Sequence, residues 1–178
     1  MRQWMQMEPP IAFELVAIND IVSIETCPYF LKLGSIYWPA PTTIVQTKRV
    51  LILNGYLVRF THQHLTSVNL SDVELVFKCT GKANDSNFAT AWLRSGAKPV
   101  LILGPPKHAD VTVLLGANDH VLQAQRIISN ASCTTNVLAP FLCFLDGNFG
   151  VLAGHITTDG VSQPKCPMSH KKCCDEYV

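Results

Sequence analysis

A cysteine flanked by hydroxyl side chains lies where a predicted strand meets a predicted helix. Ser132, Cys133 and Thr134 stand between a short apolar pair and a long apolar stretch. The N-terminus of a helix presents unpaired backbone N–H groups and the positive end of the helix dipole, which stabilise a thiolate and bind anions. A lone cysteine is ordinarily a small core residue. Because hydroxyls flank this one, the pattern predicts a nucleophilic thiol beside an anion site.

A second group of potential ligands lies near the end of the sequence. The group has the spacing C-x3-H-x2-C-C and consists of Cys166, His170, Cys173 and Cys174. Thiolates and an imidazole suit zinc, but the segment contains neither a paired C-x2-C knuckle nor a helical pattern to present the histidine. We therefore predict no metal site, and we assign residues 159–178 to an unstructured tail. The odd number of cysteines, 7, in a chain with no secretory signal predicts mostly reduced thiols.

The elements that position Cys133 alternate between strand and helix. Buried strands are predicted over residues 73–79, 99–103, 111–115, 127–128 and 151–158. One helix is predicted from a cap at Asp85 or Ser86 through Leu93, closed by Gly96. A second is predicted from Cys133 to Phe149, with a kink at Pro140 and its end at Gly150. The alternation predicts an α/β fold with a doubly wound parallel sheet of the Rossmann type.

The sequence ahead of these elements contains a strand and a hairpin. An apolar run over residues 13–18 predicts a buried strand that ends at Asn19-Asp20. Residues 21–33 have a loosely helical pattern that Pro28 interrupts, and residues 38–41 can only be loop. Asn54-Gly55 stands between two strand-forming runs, which predicts a hairpin with a type I′ turn.

Length and composition exclude several classes of protein. A chain of 178 residues predicts one domain, and a formal net charge of +1 gives no electrostatic reason to bind nucleic acid or an anionic membrane. The longest apolar run, Val137 to Leu145, is far shorter than the roughly 20 residues of a membrane-spanning helix. Residues 1–10 resemble neither a signal peptide nor a transit peptide. We therefore expect a cytoplasmic protein, with the plastid as the alternative.

The segment around Cys133 resembles the active-site signature of one enzyme family. Asn130-Ala131-Ser132-Cys133-Thr134-Thr135-Asn136 is similar to the signature of phosphorylating glyceraldehyde-3-phosphate dehydrogenases, which the related erythrose-4-phosphate enzymes share. The resemblance extends over residues 2–158, and we assign residues 1–158 to a partial NAD(P)-binding domain that includes the helix of the active-site cysteine. It includes Ala17-Ile18-Asn19-Asp20, Leu31-Lys32-Leu33, Cys79-Thr80-Gly81, Ala97-Lys98, residues 111–118 and Leu138-Ala139-Pro140.

The resemblance implies a role for each residue of the signature that matches. Cys133 would attack the substrate aldehyde and form a thiohemiacetal. This thiohemiacetal would lose hydride to a nicotinamide and become a thioester. Ser132 and Thr134 would hold the inorganic phosphate that then attacks the thioester. The partners implied are therefore an aldehyde phosphate and inorganic phosphate.

The resemblance also implies cofactor-binding residues. Asp20 would bind the adenosine ribose hydroxyls, and Asn19 would lie beside the adenine. Thr80 and Gly81 would form a turn whose backbone lies along the cofactor. A carboxylate at Asp20 repels a 2′-phosphate, so NAD is the expected cofactor and NADP the alternative.

Two departures from the family pattern limit the expected activity. The chain has no Gly-rich turn to hold a pyrophosphate, so NAD binding should be weak. The first strand of the fold is missing as well, and because that strand lies in the middle of the sheet, two half-sheets with unpaired inner edges are expected.

The second departure concerns the general base. The family places this histidine in a Thr-Thr-x-His run, and Thr157-Thr158 are in register with it, but the histidine position is Gly160. Asp159 is adjacent to that position, and His155 lies five residues before it. Neither takes the place of the base unless the strand is shifted, and a shift by an odd number of residues reverses the faces of a strand.

Three interpretations of the chain remain open. It is a member of the dehydrogenase family that is truncated and inactive as given; or it is a non-enzymatic interaction or nucleotide-binding module, able to associate with full-length homologous subunits; or it is the product of a damaged gene copy. The unpaired edges of the half-sheets would offer the docking surface in the second interpretation.

Overall fold

The computed structural model describes residues 4–5, 13–33, 43–63, 68–80 and 86–157. The chain forms two compact units, Met1–Val68 and Asn69–Val178, where its length predicts a single domain. Within the described ranges, each unit contains one four-stranded sheet. The expectation of two half-sheets is therefore confirmed, and each sheet has buried residues of its own.

The first unit contains a mixed sheet. Its strands are β1 (Ala17–Asn19), β2 (Ile44–Gln46), β3 (Val50–Leu53) and β4 (Tyr56–Thr61), in the order β1-β4-β3-β2. β1 pairs in parallel with β4, whereas β3 pairs antiparallel with both β4 and β2. β1 is shorter than the predicted strand and ends one residue later, because Asn19 still pairs with Thr61.

The predicted hairpin joins β3 to β4. Asn54 and Gly55 both have left-handed backbone, with φ of +51° and +87°, which is the conformation that a type I′ turn requires. This turn sets the register of the two strands, so that Leu51, Leu53 and Val58 are fully buried in the core of the unit. The hairpin prediction is confirmed.

A short helix, α1 (Cys27–Lys32), accounts for the loosely helical pattern. Pro28 lies in its first turn, where the missing N–H of proline costs nothing, so the proline accompanies the helix start instead of interrupting a longer helix. Cys27 and Leu31 are four residues apart and are both buried.

The second unit contains a sheet in which every pair of strands is parallel. Its strands are β5 (Val76–Lys78), β6 (Val100–Ile102), β7 (Val111–Thr112) and β8 (Ile127–Ser129), in the order β5-β6-β8-β7. A helix, α2 (Ser86–Arg94), connects β5 to the parallel strand β6. This strand–helix–strand unit confirms a partial Rossmann-like α/β fold.

The longest helix of the described residues, α3 (Cys133–Phe149), has the predicted bounds and continues through Pro140. Gly150 ends it with a φ of +72°, and its N–H donates to the carbonyl oxygen of Asp146 at 2.9 Å. No helix in the described ranges is long and apolar enough to cross a membrane.

The strand predicted over residues 151–158 is wrong for the part that the structure describes. Residues 151–157 have no strand conformation, and all of them are exposed. Val151 donates its N–H to the carboxylate of Asp146 at 2.9 Å, which extends the helix cap rather than a sheet. An apolar run becomes a strand only when a neighbouring strand accepts its backbone groups, and none of the described strands pairs with this segment.

Candidate functional site

Cys133 is the first residue of α3, and its side chain is exposed. Only three residues separate it from Ser129, the last residue of β8. The thiol therefore lies at the N-terminus of a 17-residue helix that directly follows a strand of the parallel sheet. This placement agrees with the sequence prediction, and it leaves the sulfur accessible to a ligand in solution.

Ser132 caps the helix. Its backbone is extended, with φ of −96° and ψ of 163°, and its Oγ accepts a hydrogen bond from the N–H of Thr135 at 3.2 Å. The same Oγ lies 3.0 Å from the hydroxyl of Thr134 and 2.6 Å from the hydroxyl of Thr135. Three hydroxyl groups thus meet beside Cys133, each able to rotate its proton toward a bound anion.

Asn136 binds the backbone of the residues that precede the helix. Its side-chain amide donates to the carbonyl oxygen of Asn130 at 2.5 Å and to that of Ser132 at 3.0 Å. These two bonds join the turn before the helix to the helix itself. Residues 130–136 therefore form one hydrogen-bonded piece around Cys133.

Sequence reasoning assigned no role to two residues of this piece. Asn136 belongs to the signature, but its bonds to the two carbonyl groups were not foreseen. Ala131 has left-handed backbone, with a φ of +52°, which an alanine seldom adopts. No local pattern signals this conformation, whereas the serine three residues before Thr135 is a recognisable helix-start signal.

The described residues contain three other thiols, those of Cys27, Cys79 and Cys143. Cys27 is buried in the first unit, and this burial, with a smaller contribution from the charge of Asp20, raises the pKa of its thiol. Cys143 lies on α3, two to three turns after Cys133, and is exposed as well. Cys143 is therefore a natural internal control for the reactivity of Cys133.

Asn19 and Asp20, the proposed adenosine ligands, lie together where β1 ends. The side-chain oxygen of Asn19 accepts from the hydroxyl of Thr61 at 2.8 Å and from the N–H of Gln63 at 3.1 Å. One carboxylate oxygen of Asp20 accepts from the N–H of Val22 at 2.9 Å. These contacts fix both side chains at the carboxyl end of a parallel strand, which is where open α/β sheets bind ligands.

Thr80 belongs to the second unit and follows β5. Its hydroxyl oxygen is buried and has no hydrogen-bond partner among the described residues. A buried hydroxyl without a partner is costly, so this atom suits a position where a ligand supplies the missing bond. Gly81, the other proposed residue of this turn, lies outside the described residues. The given sequence contains no Gly-rich turn of the kind that binds a pyrophosphate.

Among the described residues, no hydrogen bond joins a potential base to the Cys133 thiol. His155 is exposed within the irregular segment 151–157. Asp159 and Gly160 lie outside the described residues, as does the group of Cys166, His170, Cys173 and Cys174. Within the described ranges, no three His, Cys, Asp or Glu side chains come together in a way that could hold a metal ion.

Curated proteins similar to this chain are glyceraldehyde-3-phosphate dehydrogenases. The glyceraldehyde-3-phosphate dehydrogenase 2 of Bacillus subtilis (strain 168) is 33% identical over an alignment that covers 93% of this chain and 52% of the relative. The enzyme of Thermotoga maritima is 36% identical over 82% of this chain and 45% of its own length. The cytosolic enzyme of Leishmania mexicana is 36% identical over 86% of this chain and 46% of its own length.

The match is therefore extensive for this chain and partial for its relatives. The chain spans about half the length of the curated relatives that it matches. No protein-family model matches the chain.

Proposed function

The chain belongs to the glyceraldehyde-3-phosphate dehydrogenase family, and from that premise we propose that Cys133 is the nucleophile of an aldehyde-oxidising site. The observation that supports this role most directly is an exposed thiol on the first residue of α3, beside the capping hydroxyl of Ser132. Helix N–H groups there stabilise the thiolate, which is the form of cysteine that attacks carbonyl carbon.

In the proposed chemistry, the Cys133 sulfur forms a bond to the aldehyde carbon and gives a thiohemiacetal. NAD, when bound, supplies the acceptor for the hydride that this carbon loses. The resulting thioester on Cys133 is then attacked by inorganic phosphate, which releases an acyl phosphate and returns the thiolate. The substrate class is an aldehyde phosphate, as the family membership suggests.

We assign the attacking phosphate to the hydroxyls of Ser132 and Thr134. Their oxygens are 3.0 Å apart at the helix N-terminus, so both can donate to one anion without a change of backbone. Ser132 also caps the helix, so it has two proposed roles, in phosphate binding and in capping. Thr134 belongs to the same hydroxyl cluster but does not cap the helix, so substitution of Thr134 tests phosphate binding alone.

We assign the adenosine half of NAD to Asn19 and Asp20 and the turn along the cofactor to Thr80 and Gly81. Asp20 disfavours the 2′-phosphate of NADP, because two negative charges would meet there. The binding should be weak, since the sequence has no Gly-rich turn to bind the pyrophosphate. Association with full-length homologous subunits is inferred from the family. A cytoplasmic location is inferred from the name of the Leishmania relative, which is a cytosolic enzyme.

We further propose that the chain as given does not turn over its substrate. Gly160 occupies the position at which the family has its base, and the exposed His155 is not held near Cys133 by any described strand. Loss of a positioned base costs about 10²- to 10⁴-fold in rate. Thiol chemistry at Cys133 needs no such base, so reactivity and turnover should be separable.

The test combines thiol labelling with a turnover assay. Iodoacetamide should modify Cys133 faster than Cys143, with Cys27 slowest, as followed by mass spectrometry of the intact chain and its peptides. NADH should not accumulate when NAD, glyceraldehyde 3-phosphate and phosphate are added. Faster labelling of Cys143 would contradict the role of Cys133. Phosphate-dependent NADH formation that Cys133→Ser abolishes would contradict the proposed inactivity and return His155 or Asp159 to consideration as the base.

A second candidate function is association with full-length homologous subunits. The observation in its favour is that α3 has no buried residue and exposes Val137, Phe141 and Phe144. Exposed apolar patches of this kind often mark interaction surfaces. Co-expression with a tagged full-length relative tests it: co-purification that Phe141→Ser and Phe144→Ser weaken would support association, and its absence would argue against it.

A further inference from the structure

Ser129 is a buried polar residue four positions before Cys133. Its side chain is 1% exposed, although serine is usually found at the surface. Its Oγ donates a hydrogen bond to the carbonyl oxygen of Gly104 at 3.1 Å and accepts one from the N–H of Ala131 at 3.0 Å. The hydroxyl thus connects the segment that follows β6 with the turn that leads into α3.

The turn that Ser129 contacts is under strain. Ala131 has a φ of +52°, and left-handed backbone is unfavourable for a residue with a Cβ. Ala131 is also buried, so Ser129 supplies the acceptor that water cannot supply for its N–H. Such a conformation persists only where its surroundings hold it.

The hydrogen bonds around the turn divide into two sets. One set lies within the helix start: Ser132 binds Thr135, and Asn136 binds the carbonyl groups of Asn130 and Ser132. None of these bonds joins the helix start to the sheet. The other set ties that piece to the sheet, through the bridge of Ser129 and through the N–H of Asn130, which donates to the carbonyl oxygen of Ile102 at 2.9 Å.

We propose that Ser129 is a positioning residue for Cys133. Its hydroxyl holds Ala131 in the left-handed conformation and thereby fixes the first turn of α3, whose N–H groups stabilise the thiolate. Ser129 does not contact the thiol and acts through Ala131. The proposal rests on the proposed role of Cys133 as nucleophile.

The test compares alkylation rates of two thiols on the same helix. Cys133 and Cys143 are both exposed residues of α3, so their rate ratio cancels general effects on that helix. In Ser129→Ala the first turn of α3 frays, and the ratio of Cys133 to Cys143 labelling should fall by about 2- to 10-fold, the factor that one net hydrogen bond represents. Ser129→Thr keeps the hydroxyl and should restore the ratio.

The matched control is Ser95→Ala. Ser95 lies in the same unit, and its Oγ donates to the carbonyl oxygen of Ala91 at 3.0 Å, so this variant also removes one hydroxyl-to-carbonyl bond. It should leave the labelling ratio unchanged. A merely structural role of Ser129 predicts that both variants lower the melting temperature while neither changes the ratio, and that result would overturn the proposal.

Two further outcomes distinguish failure of the positioning role of Ser129 from failure of the proposed role of Cys133. If Cys133 of the unaltered chain labels no faster than Cys143, the role of Cys133 fails, whereas a ratio that still falls in Ser129→Ala supports the positioning. If Ser129→Ala does not fold, hydrogen exchange of the Ala131 amide in the unaltered chain decides. We expect that amide to be protected, and exchange at the rate of an unstructured peptide would overturn the bridge.

Discussion

Substitution of Ser132 by alanine tests whether the hydroxyl beside Cys133 shapes the helix as well as the anion site. Its Oγ is the acceptor for the Thr135 N–H, at 3.2 Å. Removing a serine N-cap costs about 1 kcal/mol, within a range of roughly 0.5–2 kcal/mol. Because about 1.4 kcal/mol is a factor of ten, local opening of the first turn should become about fivefold more frequent.

Native-state hydrogen exchange measures this opening directly, since the Thr135 amide is the group that loses its partner. Its exchange should accelerate about fivefold in Ser132→Ala. The matched variant is Thr134→Ala, which removes an exposed hydroxyl from the same cluster without removing a backbone cap. Exchange at Thr135 should change there by less than the equivalent of about 0.5 kcal/mol.

The two variants should agree in their effect on phosphate. Both remove a hydroxyl that we assign to the attacking phosphate, so both should weaken protection of Cys133 against iodoacetamide by inorganic phosphate. Equal acceleration of Thr135 exchange in the two variants would refute the assignment of the cap to Ser132. Undiminished protection by phosphate in both would refute the anion site while leaving the cap intact.

Three other outcomes follow from the structure. Burial raises the pKa of the Cys27 thiol, so this thiol loses its proton at a lower pH in the unfolded chain than in the folded one. The stability of the chain should therefore fall as the pH rises above the ordinary thiol pKa of about 8.5, and over the same pH range the urea midpoint should fall less in Cys27→Ala. Gly96→Ala should destabilise the second unit by more than about 1 kcal/mol in urea unfolding, because Gly96 has a φ of +104° and a Cβ there would lie 3.0 Å from the Cα of Ser71. The control Gly147→Ala meets nothing within 4 Å and should stabilise α3 slightly. Calorimetric titration with NAD should give a dissociation constant larger than about 1 μM. A smaller constant would contradict the expectation that no turn of the chain binds the pyrophosphate.

Local signals predicted the parts of the fold that neighbouring residues determine. The turn at Asn54-Gly55 requires positive φ at both positions, and few residue pairs adopt it as readily. The bounds of α3 were predictable for the same reason, since Ser132 caps its start and Gly150 ends it. Both features depend on residues within a few positions of each other.

Features that depend on distant partners could not be predicted in this way. The apolar run over residues 151–157 suits a strand, but strand formation also requires a neighbour to pair with it. The position of β5 was predicted, yet Phe77 is exposed and Lys78 is buried, the reverse of what their polarity suggests. Alternation within a strand makes one of the two face inward, and packing across the sheet decides which.

The candidate site divides along the same line. Residues 129–136 contain the helix cap, the hydroxyl cluster, the strained turn and the thiol. These features therefore require only that this short segment folds against β6. A base and a held nicotinamide would have to come from residues far away in the sequence. Attack by the thiolate requires only the first set, whereas hydride transfer requires both. The proposed thiol chemistry of Cys133 is therefore separable from the hydride transfer that completes the proposed reaction.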